Sequence, residues 1–280
     1  MFFKTALALA LLGVTTAASA TLCSLVSSKD LTCTFATDTS GGTVLYTNPT
    51  QLTNIGSGEI NPFLGTQVGG NGGVEVGVNT DDPNVNTLPL NDKRDNNNTF
   101  TDTMSLNQLG TVTLGGVDYF SFFLDINEPN GNGQNLLSID RLAIFGQTGA
   151  TPGAAVNLNN TNITTLDDVD VFPNLAIVYR LGVGNDLLLN YNLFAGSGLG
   201  YDMTLLVPTS LFAGLAPDSR IVFAVQYGTQ AGAIAEDGFE EWAFLPGTFA
   251  FQTPEPGMLA LLALALAAAG LALRRNPTDI

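Results

Sequence analysis

GTVTLGGVDYFSFFLDI, residues 110–126, places two runs of β-branched and aromatic residues around the pair Gly115-Gly116. Paired glycines accept the backbone of a tight turn, so the stretch reads as two strands joined by a hairpin. In the second arm, Val117, Tyr119, Ser121 and Phe123 would face one side while Asp118, Phe120, Phe122 and Leu124 face the other. Both faces are apolar at the centre, as expected of a strand covered on each side.

Runs of the same kind recur at short spacing along the chain. They are TVLY from Thr43, VEVGV from Val74, LLSIDRLAIF from Leu136, LAIVYRL from Leu175, LLLNYNLF from Leu187, DMTLLVP from Asp202, RIVFAVQYG from Arg220 and EEWAFLP from Glu240. Turn signals such as Gly184-Asn185-Asp186 separate them, and no amphipathic helical pattern stands out between the two ends of the chain. Many short strands with such punctuation predict an all-β fold, an antiparallel β-sandwich of jelly-roll-like kind. The interval 65–102, dominated by Gly, Asn and Asp, reads as a strand or two on long exposed loops. It could equally be a linker between two small domains, but its strands need partners from elsewhere, which favours one domain over residues 21–250.

Charge narrows the partners. The 280 residues carry 25 acids against 9 bases, a formal net charge of −16, and no histidine. Such a surface repels phosphate backbones, which argues against nucleic acid. Without histidine there is no Ser/His/Asp or Cys/His triad, and the commonest metal ligand is missing.

The two ends read differently from the body. At the start, Lys4 precedes an apolar stretch from Ala6 to Val14, followed by Ala18-Ser19-Ala20. This is the order of a secretory signal peptide, residues 1–20, with cleavage after Ala20. Nine apolar residues extend only about 14 Å as a helix, too short for a hydrocarbon core of about 30 Å. Export places Cys23 and Cys33, the only cysteines, in an oxidising compartment, where one disulfide is the simplest expectation and two buried thiols the alternative.

At the other end, Gly257 to Leu273 is seventeen residues without a charge, about 25 Å as a helix. It predicts a transmembrane helix over 257–273. Arg274 and Arg275 follow and would stay on the cytoplasmic side, leaving the body outside. Pro254 and Pro256 bracket Glu255 just before it, fixing an extended backbone and stopping the helix from growing outward. A plain stop-transfer anchor and a helix buried in the soluble domain are the competing readings. Pro254-Glu255-Pro256, the apolar helix and the arginine pair together resemble the PEP-CTERM sorting signal of exopolysaccharide-producing bacteria, over residues 251–280. That resemblance implies that the chain is a substrate of an exosortase, a membrane transpeptidase-like enzyme that recognises the Pro-Glu-Pro motif.

Two stretches of the body suggest sites. Asp125, Asn127, Glu128, Asn130 and Asn132 crowd oxygen-bearing side chains into one loop. Such ligands suit Ca²⁺, with Asp125, Asn127 and Glu128 as candidates, although the spacing is not that of an EF-hand and a plain hairpin loop needs no metal. No other cofactor is indicated. Glu236, Asp237, Glu240 and Glu241 cluster near Trp242, the only tryptophan. Glu240, Glu241 and Trp242 could contact a sugar, the acids could be a glycosidase pair, or the indole could fill the core beside solvated acids. FFLDINEP, LLSIDRLAIF, VYRLG, GSGLGYDM and DGFEEWAF together resemble a recurring extracellular domain carried on PEP-CTERM tails, over residues 122–244, which brings no assigned activity. The expectation is an exported, non-enzymatic surface or matrix protein associated with exopolysaccharide. The rivals are a secreted carbohydrate-active enzyme and a calcium-dependent carbohydrate-binding module.

Overall fold

A computed structural model describes residues 21–28, 31–36, 43–47, 62–67, 73–81, 102–128, 134–149, 151–156, 174–181, 184–193, 201–235, 238, 240–244 and 248–249. The segments read as signal peptide and transmembrane helix lie outside them, as do Ala18, Ala20 and the whole sorting motif. Among the described residues there is no α-helix, and no helix long and apolar enough to cross a membrane.

The opening hairpin forms as β7 (Thr111–Leu114) and β8 (Val117–Asp125). Gly115 and Gly116 both take positive φ, 59° and 82°, the turn whose twist matches that of the flanking strands. β8 is the axis of an eight-stranded sheet. One edge pairs with β12 (Met203–Pro208), which leads on to β3 (Thr43–Thr47) and β2 (Thr32–Ala36). The other edge is divided: its first half pairs with β7 and its second with β14 (Glu240–Phe244), itself paired with β4 (Pro62–Thr66).

The seven-stranded sheet is organised the same way around β9 (Leu136–Gln147) and β13 (Arg220–Tyr227). The free edge of β9 takes β11 (Asn185–Asn190) and β10 (Leu175–Arg180), and that of β13 takes β5 (Glu75–Val78) and β6 (Met104–Ser105). Long strands with both faces apolar therefore lie centrally, and short ones share their edges.

Pairing is antiparallel except at two outer positions. β1 (Thr21–Ser24) lies parallel to β11, and β15 (Thr248–Phe249) parallel to β7. The second case follows from geometry: β7 and β14 both run opposite to β8, so a chain leaving β14 without reversing meets β7 in parallel.

Aromatic side chains fill the space between the sheets. Phe223 of one sheet stands 4.7 Å from Trp242, 5.4 Å from Phe122 and 5.5 Å from Phe63 of the other, measured between ring centroids. The hydroxyls of Tyr46 and Tyr179 meet across the same gap at 2.9 Å. Trp242 is wholly buried, and its indole N–H donates to the Tyr227 hydroxyl. Trp242→Ala removes that contact and leaves a cavity, an expected loss of about 3–5 kcal/mol readable as a fall in the urea midpoint.

A disulfide joins Cys23 on β1 to Cys33 on β2, with Cα atoms 6.0 Å apart. β1 is the outer strand of one sheet and β2 of the other, so the bond ties the two sheets together along one side. Replacing both cysteines by Ser should lower stability by roughly 2–3 kcal/mol for so short a loop, measured by denaturant unfolding under oxidising conditions.

Candidate functional site: two carboxyl groupings at one end of the sheets

The stretches that the sequence marks separately, 125–128 and 236–242, meet in space. Residues 126–128 leave the end of β8, and β14 enters beside it with Glu241 opposite Asp125. The approach is tight: a Cβ at Gly238 would fall 1.8 Å from the Asn127 carbonyl oxygen, so only glycine allows the two backbones to touch.

Strand alternation then divides the acids. Glu240 and Trp242 face the other sheet, while Glu241 faces away from it. Glu240 is fully buried, and neither of its oxygens receives a hydrogen-bond donor. Facing it from the seven-stranded sheet is Glu75, also fully buried, whose Oε2 accepts from the Thr66 hydroxyl at 2.9 Å. Burial pushes the Glu240 carboxyl well above its ordinary range, and Glu75 and Glu128 add to the effect. Burial therefore favours the neutral, protonated form of Glu240. Tyr227, pushed up by burial and then by Glu240, completes the group.

On the outer face, Asp202, Asp125 and Glu241 form a row across β12, β8 and β14. Asp202 precedes β12, its Oδ2 accepts from the Ile126 N–H at 2.7 Å, and it hydrogen-bonds Asp125. Burial raises Asp202 to about 8, and burial together with the charge of Glu241 raises Asp125 to about 6. One proton thus sits between two carboxyls, carried by Asp202 and accepted by Asp125. Glu241 is also raised by burial.

This geometry revises the sequence-predicted sites. Trp242 has no exposed face on which a sugar could stack, and Glu240 and Glu241 point to opposite faces of one strand, so they do not form a pair around a common substrate. Asp125, Asn127 and Glu128 are likewise divided: Asp125 bonds Asp202, Asn127 is exposed, and Glu128 is buried near Glu240. Among the described residues no group of three or more acidic or cysteine side chains is arranged to hold a metal. Sequence reasoning missed Glu75 and Asp202, whose roles depend on neighbours more than 70 residues away in the chain. An acid directly before a continuously apolar strand, as Asp202 before MTLLVP, is the signal that could have marked one of them.

Residues 252–276 match the PEP-CTERM protein-sorting motif. The match takes in Pro254, Glu255, Pro256, Arg274 and Arg275. No curated protein and no solved structure matches the chain. The tail is thus a sorting signal read by an exosortase: it marks the protein for export, anchors it transiently in the membrane and directs it to the cell surface or beyond.

Proposed function

We propose that this exosortase substrate is a non-enzymatic component of the cell surface or extracellular matrix, associated with exopolysaccharide through a jelly-roll-like β-sandwich. The signal peptide, cut after Ala20, exports it. The helix over 257–273 holds it at the membrane until the exosortase acts near Pro254–Pro256, and residues 21–250 form the delivered domain.

The sorting motif carries this reading. The chemistry of the body supports it, because the gathered carboxyls engage one another and the backbone. Glu240 is closed off from solvent, and Asp202 holds the Ile126 N–H. One observation favours an enzyme instead: two carboxyls with raised, separated affinities for a proton, as in Asp125 and Asp202, also occur in acid–base catalysis.

Incubating the purified protein with the polysaccharide of its own cells separates the two. The structural role predicts unchanged polymer length and co-sedimentation with the polymer. Shortening by the wild type that Asp125→Asn abolishes would establish the enzyme.

A further inference from the structure

At the ends of β13 and β14 farthest from the carboxyl groupings, an open cleft of about 380 Å³ is lined by Phe63, Asp81, Asp102, Gln108, Arg220 and Phe244, among others. Its size lies near the lower end of small-molecule sites, ~300–1,000 Å³. Its walls are held from behind. Asp81 accepts from the Thr103 N–H and hydroxyl through Oδ1 and from the Val156 N–H through Oδ2. Arg220 donates from Nε to the Gly153 carbonyl and from Nη1 to the Thr103 carbonyl. Gln108 turns its Oε1 back to the Ser105 N–H, and its amide nitrogen takes no part in that bond. Phe244, half-buried, leans on Phe63 with ring centroids 6.1 Å apart.

The mixture of groups selects the ligand. Two carboxylates stand against one guanidinium in a chain of net charge −16, which disfavours anions. Arg220 opposes a cation, and the polar walls disfavour a lipid tail. A neutral ring bearing many hydroxyls, with one C–H face, fits acceptors, donors and an aromatic edge together.

We propose that this cleft binds a neutral hexose unit, its C–H face against Phe244 and its hydroxyls on Asp102, Gln108 and Arg220. The site deepens the polysaccharide association proposed above and rests on it.

The test is calorimetric titration of the full-length protein, in a detergent without a sugar headgroup, with glucose, galactose, mannose and their β-linked disaccharides. At about 10 mM, a ligand of about 1 mM dissociation constant is about nine-tenths bound. Saturable binding to at least one probe is expected. Asp102→Ala, on an exposed side chain, and Arg220→Lys should each weaken it about tenfold, the loss of one charged hydrogen bond. Binding that both variants leave unchanged, or no saturable binding by a wild type that melts cooperatively, overturns the site. Co-sedimentation with the native polysaccharide is scored in parallel: if it survives both variants, the cleft is wrong while the association stands.

Discussion

Raising the pH from 5 to 9 is expected to destabilise the folded domain by about 3–5 kcal/mol, the reverse of ordinary acid denaturation. Asp202 and Asp125, with ordinary values of 3.8, are raised to about 8 and about 6, and Glu240 is also raised, by its burial. A raised carboxyl binds its proton more tightly in the folded state than in the unfolded one. Its contribution is complete below the unfolded value and disappears as pH climbs through the folded value. For Asp125 and Asp202 the window runs from about pH 4 to about 8, and the magnitude is discounted because Asp125 is partly solvated and shares its proton with Asp202. The facing groups reinforce the sign: Glu241 beside Asp125, and Glu75 and Glu128 beside Glu240, are all acids.

Urea midpoints at pH 5, 7 and 9 check this directly, and a midpoint that rises with pH would refute it. Two amide variants assign the cause. In Asp202→Asn the carbonyl can still accept from Ile126 and the NH₂ can still donate to Asp125, reproducing the protonated acid. The slope between pH 6 and 8 should therefore flatten. Glu240→Gln should also flatten the pH dependence and leave the midpoint at pH 5 nearly unchanged.

Replacing Pro254-Glu255-Pro256 by three alanines is expected to abolish processing while leaving membrane insertion intact. Proline favours an extended backbone and resists helix, whereas alanine is the best helix former and would let the helix proposed over 257–273 lengthen outward through the recognition site. The variant should remain in the membrane fraction at the mass of the uncut chain after signal removal. The wild type should be shorter and found at the surface. Intact-mass measurement of both fractions decides the matter, and a variant trimmed like the wild type would refute recognition at this tripeptide. Stability of the domain should be unaffected, since its last described strand ends at Phe249.

Much of the fold was legible because the long strands carry their own pattern. Each of the runs quoted at the outset contains a strand, from TVLY to EEWAFLP, although LLLNYNLF leaves its strand after Asn190 for a 3-10 turn at Tyr191–Leu193, and Gly115-Gly116 became the hairpin turn. β1, β2, β4, β6 and β15 went unread. They are two to five residues long, β4 opens on Pro62, and pairing with longer neighbours forms them more than local preference does. The parallel placement of β1 and β15 depends on the completed sheets, which no local pattern encodes.

The site was half legible. Sequence marked the acids of 125–128 and 240–241 as unusual, and weighed a metal or a sugar for them against a plain hairpin loop and an indole filling the core beside solvated acids. What it lacked was the face on which each acid lies. A shift of one residue in the pairing of β14 would exchange Glu240 for Glu241 and Trp242 for Ala243 between core and exterior. Only the opposed register of β4 and β14, with Glu240 beside Thr66, brings Glu75 into reach from the other sheet.

β15 pairs with the outer edge of β7, and only residues 250–253 separate it from Pro254. At ~3.3–3.6 Å per residue, the tripeptide begins no farther than about 18 Å from the end of β15. The sorting enzyme must therefore work close to the folded domain. A bulky group fixed to Thr111 or Thr113 would then stop cleavage without altering a single residue of the signal.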